Sequence, residues 1–414
     1  MGLRRRPRRR RRRYVLLLLI LIAASLLVYL KWPKSPEVSR ERTPETEVVR
    51  PPGHDPGKIM ALLPLSGPLK DEGLAARRGM ELAFKDAGIE VSLYYVDWER
   101  ENILSYVSER SFGVFFVQLP FSEILKIVER RPDAVIIAPT SSHEGLKELS
   151  QVFSFVATDG EEGKYVASLV KGTSDDVSSF VIVLEPDGYG SVLYSAFEKA
   201  WDSGKAPCRV VKWKGGQDEP CDEIKSVIAG KPRVIWLSGS PQWINQVYSR
   251  IMSLGYSGFF LVPSYFDQHM ARRVPPGYLN RFIFVRPCVG DPEYHPWNSF
   301  FERFKRKFLR APEWIDSLFY DAATVYASYV KSLRLRKTGP SVTVADFRAF
   351  LGRQEYFEGV SGIMRFSQEG RVSGSFHLAL FKGGMFVPAT NSICESSGLK
   401  GCSRESANTS GKDK

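Results

Sequence analysis

Five histidines, His54, His143, His269, His295 and His377, are the chain's first candidates for acid–base or metal chemistry. No two of them stand in the His-x-x-x-His arrangement that places two imidazoles on one helix face, and none adjoins a nucleophile motif. Asp267-Gln268-His269 offers two ligand types side by side, a pairing that an ordinary surface loop explains without an ion. There is no Gly-x-Ser-x-Gly turn and no Gly-x-x-x-x-Gly-Lys-Ser/Thr phosphate loop. Catalysis is therefore not expected and no cofactor is implied, although a fold by itself excludes no activity. What remains are hydroxyls and carboxylates in loops that follow apolar runs, groups suited to holding a polar solute.

Those loops belong to a regular alternation. Ile59 to Leu63, Val91 to Val96, Val114 to Val117, Ala134 to Ala138, Phe180 to Leu184, Arg209 to Trp213, Val234 to Leu237, Phe259 to Val262 and Phe282 to Val285 read as strands. Most are continuously apolar, as strands covered on both faces must be. Helical periods lie between them at Gly73 to Ala87, Ser122 to Arg130, Glu161 to Lys171, Ser191 to Ser203 and Gln242 to Leu254, with Gly88 and Gly255 placed to end two of them. The pattern predicts an α/β fold of parallel sheets covered by helices, in which ligands sit beyond the carboxyl ends of the strands. About 330 residues, Lys58 to Ala389, exceed what one core normally supports, so two lobes are expected.

Outside this body the composition changes. Residues 1–13 carry nine arginines, and Tyr14 to Leu30 follows without a charge. Those residues span roughly 26 Å as a helix, close to the ~30 Å apolar core of a bilayer, with Tyr14 and Trp32 at the interfaces. The positive-inside rule keeps the arginines in the cytoplasm and exports the rest. A cleaved signal peptide is the alternative, but Ala23-Ala24-Ser25 lies inside the apolar run instead of after it, so an uncleaved transmembrane anchor at 14–30 is expected. Residues 31–57 read as a linker and 390–414 as a polar tail. The net charge of +12 falls to about +3 without the arginine tract, which gives no argument for nucleic acid. Five cysteines in an exported chain invite pairing: Cys208 with Cys221, and Cys394 with Cys402, each closing a short loop worth about 2–3 kcal/mol, with Cys288 left as a small buried hydrophobe.

A family resemblance adds to this reading. Pro64-Leu65-Ser66-Gly67-Pro68 before Leu74 to Ala83 resembles the opening of the type I periplasmic binding proteins, the family of extracellular leucine/isoleucine/valine receptors. Similar stretches continue in the family's order: Ile136 to Ser142, Val152 to Phe155, Asp187-Gly188-Tyr189-Gly190, Tyr320-Asp321-Ala322, and Phe357 to Phe366 with Gly370. The resemblance implies two Rossmann-like lobes, 58–158 with 287–359 and 159–286 with 360–389, joined by three crossovers near Phe155, Arg286 and Gly359. It also implies a ligand cleft between the lobes, with Ser122, Ser141, Ser142, Tyr189, Ser240 and Ser264 at positions where the family touches its ligand. Helix capping is the plain alternative for each of the serines.

The sequence departs from the family at three places. Gln118-Leu119-Pro120 replaces a Gly-Pro turn, and where the family's amino-acid receptors tend to place an aromatic near Ser240-Pro241 and an acid near Ser264-Tyr265, this chain has no carboxylate at the second position to pair a ligand ammonium. An unpaired buried ammonium is costly, so a carboxylate or neutral solute is expected ahead of a branched amino acid, with Asp267 and Asp291 as substitute acids. The resemblance thus implies a membrane-anchored receptor that clamps a small polar solute (an amino acid, carboxylate or amide) for the membrane subunits of an ABC transporter. The alternative is an interaction protein of the kind that regulates peptidoglycan synthases, using the same lobes to touch an enzyme.

Overall fold

A computed structural model of the chain describes residues 53–171, 179–186, 188–201, 209–215, 222–335, 341–373 and 376–399. The arginine tail, the expected anchor at 14–30, nearly all of the linker, Asp187, Cys208, Cys221 and Cys402 lie outside those residues. Among the described residues no helix is long and apolar enough to cross a membrane. Cys394 is disulfide-bonded, and Cys288 is free and buried.

The first part of the chain runs β1 (Lys58–Leu63), α1 (Lys70–Ala87), β2 (Ser92–Asp97), α2 (Ile103–Val107), β3 (Val114–Val117), α3 (Phe121–Arg130), β4 (Val135–Ile137) and β5 (Val152–Phe153). Its five strands form one parallel sheet in the order β2-β1-β3-β4-β5. The second part runs α4 (Asp159–Lys171), β6 (Phe180–Leu184), α5 (Tyr189–Trp201), β7 (Arg209–Lys212), α6 (Asp222–Ala229), β8 (Val234–Ser238), α7 (Pro241–Ser253), β9 (Phe259–Val262), α8 (Gln268–Ala271), α9 (Pro276–Leu279) and β10 (Phe282–Arg286). The chain then returns to the first sheet with α10 (His295–Phe308), α11 (Trp314–Arg334), α12 (Val344–Arg353) and the short strands β11 (Phe357–Gly359), β12 (Gly362–Phe366) and β13 (Val372–Ser373). It ends on β14 (His377–Lys382), β15 (Met385–Pro388) and α13 (Asn391–Ser397). The second sheet has the order β15-β14-β10-β9-β8-β6-β7, parallel from β7 to β10, with β14 and β15 added antiparallel.

Uninterrupted apolar strands are buried on both faces in the second sheet: every residue of β6, β8 and β10 is buried. Gly88 and Gly255 have φ of 63° and 84°, the left-handed conformation that ends a helix at little cost to glycine. Gly79 has a different task. A Cβ there would lie 2.3 Å from the Asp316 carbonyl oxygen and 2.9 Å from Tyr320 N, so its absence lets α1 and α11 pack backbone to backbone. That contact puts Asp316, which is fully buried, 2.9 Å from the Arg78 Nε.

One passage between the cores falls later than expected. Val360, Met364 and Phe366 pack with Ile59, Phe116 and Phe319 in the core of the first sheet, whereas Phe376 and Leu378 belong to the core of the second. The chain therefore changes cores between Val372 and Phe376 and not at Gly359. The β11–β12 hairpin sets Phe357 against Phe350 of α12 and Phe366 against Phe155, and its Val360 and Ser361 N–H groups donate to Asp321 of α11, before the chain crosses.

Candidate functional site

The acids of α4 build the centre of the site. Asp159 and Glu162 stand in the first turn of this helix, which begins where the chain has just left the first sheet. Glu162 is 1% exposed. Its Oε1 accepts the Ser264 backbone N–H at 2.8 Å, its Oε2 accepts the Ser264 hydroxyl, and the Tyr189 hydroxyl lies 3.5 Å from Oε2. Burial pushes the Glu162 carboxyl up to about 7, against the pull of both Ser264 donors. Ser264 follows β9 and Tyr189 opens α5, so three elements of the second sheet meet on one carboxylate.

Behind them lies Arg286, the last residue of β10 and fully buried. Its Nη1 donates to the Ser264 carbonyl, and its guanidinium lies 4.2 Å from the ring centre of Phe386 and 4.8 Å from that of Trp314. Its Nε and Nη2 have no hydrogen-bond partner among the described residues. Burial lowers its pKa, and the neighbouring Cys288, Asp267 and Glu162 oppose that shift. Trp314 belongs to α11 and Phe386 to β15, so this cation ties together the two halves of the body.

The first sheet supplies a second acidic point. Glu72, in the first turn of α1, accepts Gln118 Nε2 at 3.0 Å, and Gln118 Oε1 in turn accepts the Thr140 hydroxyl. Burial, with Asp267 across the cleft adding to it, pushes the Glu72 carboxyl up to about 6. Asp267 follows β9 and caps α8, accepting Met270 N–H at 3.0 Å. Beside it Tyr265 is 60% exposed, its ring centre 5.0 Å from that of Tyr189. Loops from the carboxyl ends of β3, β4 and β9 thus converge with the starts of α1, α4 and α5.

The expected ligand contacts fare differently. Tyr189 and Ser264 join at Glu162. Ser142 joins them through Asp159, whose backbone N–H donates to the Ser142 carbonyl at 2.9 Å and whose carboxylate feels the Ser142 hydroxyl. The Ser141 carbonyl accepts the Ser154 hydroxyl at 2.8 Å, holding the end of β4 against the crossing segment. Ser122 is exposed on α3 and contributes none of the described hydrogen bonds of the acidic centre. Ser240 is a helix cap: its hydroxyl accepts Trp243 N–H at 3.4 Å and donates to Glu185 Oε1 at 3.0 Å, while its N–H donates to Glu185 Oε2 at 2.5 Å. Ser240→Ala is expected to lower stability by about 1–2 kcal/mol, read as a shift of the urea midpoint at unchanged slope, because a cap and a carboxylate partner are lost together.

The carboxylate missing near Ser264 in the sequence arrives from elsewhere in the chain. Glu162, about a hundred residues upstream, takes both Ser264 donors, and Asp267 faces Glu72. Asp291, the other expected substitute, instead accepts Glu293 N–H at 2.9 Å in its own turn. An acid from elsewhere in the chain thus stands beside Ser264. Sequence reading missed Glu162, Asp159 and Glu72 because acids in a helix's first turn are stabilising there in any case. For Arg286 one signal existed, a charge closing the apolar strand Phe282-Ile283-Phe284-Val285.

Comparison with curated proteins returned no sequence relative. Solved structures share the architecture. A leucine-binding protein from Thermotoga maritima superposes with a TM-score of 0.63 at 17% identity, over 80% of this chain and 97% of its own. The branched-chain amino acid transporter substrate-binding protein of Streptococcus pneumoniae, in complex with isoleucine, gives 0.60 at 15%, over 80% and 97%. A solute-binding protein of an R. palustris ABC transporter, in complex with benzoate, gives 0.61 at 18%, over 80% and 95%. At these identities the likeness is one of fold. The family profile described as periplasmic binding protein matches residues 56–384, most of the chain and every carboxylate of the site built above. The chain therefore belongs to the periplasmic binding protein family.

Proposed function

We propose that this protein is an exported solute receptor of an ABC transporter, held at the membrane by residues 14–30, which closes two lobes on one small polar solute. In this reading lobe 1 comprises 58–158 and 287–372, lobe 2 comprises 159–286 and 376–389, and no step is catalytic. The observation that carries it is the convergence of Glu72 from the first sheet's helix with Asp159, Glu162, Ser264 and Tyr189 from the second, polar groups drawn from both halves into one partly buried cluster. A solute with higher affinity for the closed arrangement shifts the lobes toward it, and the closed surface is what a transporter subunit reads. The three solved structures described above, two from transporter systems, support the class.

A ligand at a hundred times its Kd adds about 2.7 kcal/mol to the folded state. A solute panel is therefore expected to include compounds that raise the melting temperature, and Ser142→Ala and Tyr189→Ala are expected to shrink that rise while leaving a cooperative transition. A panel of amino acids, amines, organic acids, amides and sugars that shifts nothing would turn the reading toward the partner-binding alternative. For the anchor, protease added to cells with an opened outer envelope is expected to remove the body, and protection of the body would defeat the proposed topology.

A further inference from the structure

Resting on the receptor reading, the state of the donors in the cleft narrows the class of solute. On the first sheet's side the Thr140 hydroxyl donates to Gln118, Gln118 Nε2 donates to Glu72, and the Ser142 hydroxyl lies against Asp159. Pro120, which caps the helix that follows β3, brings no N–H of its own. On the second sheet's side the Ser264 N–H and hydroxyl are both engaged by Glu162. The side chains of Gln118, Ser142 and Ser264 are thus turned onto the cleft's own carboxylates. An acceptor remains: Asp159 is 8% exposed and its Oδ1 has no hydrogen-bond partner among the described residues. A buried carboxylate oxygen left in this condition is costly without a cation or donor against it. Glu72 lies near Asp267, which adds negative charge beside it, and near His269, which opposes that charge in part.

Arg286 is the exception among the donors, with Nε and Nη2 unpartnered. It is fully buried, covered by the rings of Trp314 and Phe386, and its charge is offset by Glu162 and Asp267. It neutralises part of the acidic cluster, leaving Asp159 Oδ1 unpartnered among the described residues and Glu72 with Gln118 as its hydrogen-bond donor.

We propose that the cleft takes an organic amine, a solute recognised through an ammonium group and carrying no carboxylate, with Asp159 and Glu72 as acceptors and the Tyr189–Tyr265 pair as an aromatic wall. An ammonium supplies the donors and the charge these oxygens lack, and tyrosine faces attract cations. A carboxylate on the same solute would meet acceptors where it needs donors.

The test is calorimetric titration of the full-length protein in detergent at pH 8 with butylamine, putrescine and phenethylamine, and with leucine and benzoate as the zwitterionic and anionic probes. At least one amine is expected to bind saturably and more tightly than leucine or benzoate. Asp159→Asn and Glu72→Gln are each expected to weaken it tenfold to a hundredfold, as loss of a charged partner does. The two variants sit on different helices, so failure of one to fold leaves the other to decide. Tighter binding of leucine or benzoate than of any amine would overturn the inference and leave the receptor reading standing. No heat from any probe, in a protein that still melts cooperatively, would overturn both.

Discussion

Arg286→Ala is expected to destabilise the body by about 2–4 kcal/mol at pH 8, because a fully buried side chain is lost together with its hydrogen bond and two ring contacts. Three contributions vanish together: the hydrogen bond to the Ser264 carbonyl, the stacking on Phe386 and Trp314, and the positive charge near Glu162. The last makes part of the effect conditional. If Glu162→Gln is added, the buried negative charge is removed and a minor part of the loss should return. Lowering the pH to 5, where Glu162 can take up a proton, should shrink the loss in the single variant. Urea titration followed by tryptophan fluorescence reads all three, since Trp314 touches the guanidinium. A single variant with the wild-type midpoint, or a double variant no more stable than the single, would refute the coupling.

The ligand-free body is expected to be more stable at pH 5 than at pH 8. Burial holds Asp159 at about 6 and Glu162 at about 7, each above its ordinary value of 3.8 or 4.5. Groups whose folded pKa is raised bind protons more tightly in the folded state. Their contribution is complete below pH 4 and is lost as the pH climbs through 6 and 7. For each of these two residues the swing is about 2–3 kcal/mol. The charged groups around Asp159 are Glu144 beside the end of β4 and Glu162 on its own helix, with Ser142 as the opposing donor; around Glu162 they are Asp159 and Arg286. Asp159→Asn and Glu162→Gln should each flatten the profile between pH 5 and 8, and a bound cation should flatten it too. Superimposable profiles for wild type and variants would show that these carboxyls ionise freely in the folded protein.

Much of the scaffold is legible in local sequence because buried parallel strands announce themselves as apolar runs. Val114–Val117, Phe180–Leu184 and Phe259–Val262 fall where the run of apolar residues begins and ends. Helix starts are read late, at Gly73, Glu161 and Ser191 instead of Lys70, Asp159 and Tyr189, since a polar first turn looks like the loop before it. The antiparallel pair β14 and β15 escapes notice, although Gly383-Gly384 between them, both at positive φ, is a hairpin signal. The resemblance implies a third passage near Gly359, whereas Val360, Met364 and Phe366 of the hairpin still pack in the first sheet's core.

The site is less legible for a different reason. Its chemistry is made by pairs far apart in sequence, Glu162 with Ser264 and Glu72 with Asp267, and no local pattern marks them. Ser240 shows the converse, since its place before Pro241-Gln242-Trp243 suits a cap and the structure makes it one. A hydroxyl after a strand is thus ambiguous until its acceptor is known.

Whether the cleft holds a solute is read by native mass spectrometry of the full-length protein, extracted from its own membranes in mild detergent. One small molecule per chain is expected, seen as a discrete mass increment that disappears on unfolding and is reduced in Asp159→Asn. A chain of bare mass that instead retains a stoichiometric protein partner, with no change in Asp159→Asn, would contradict the receptor reading.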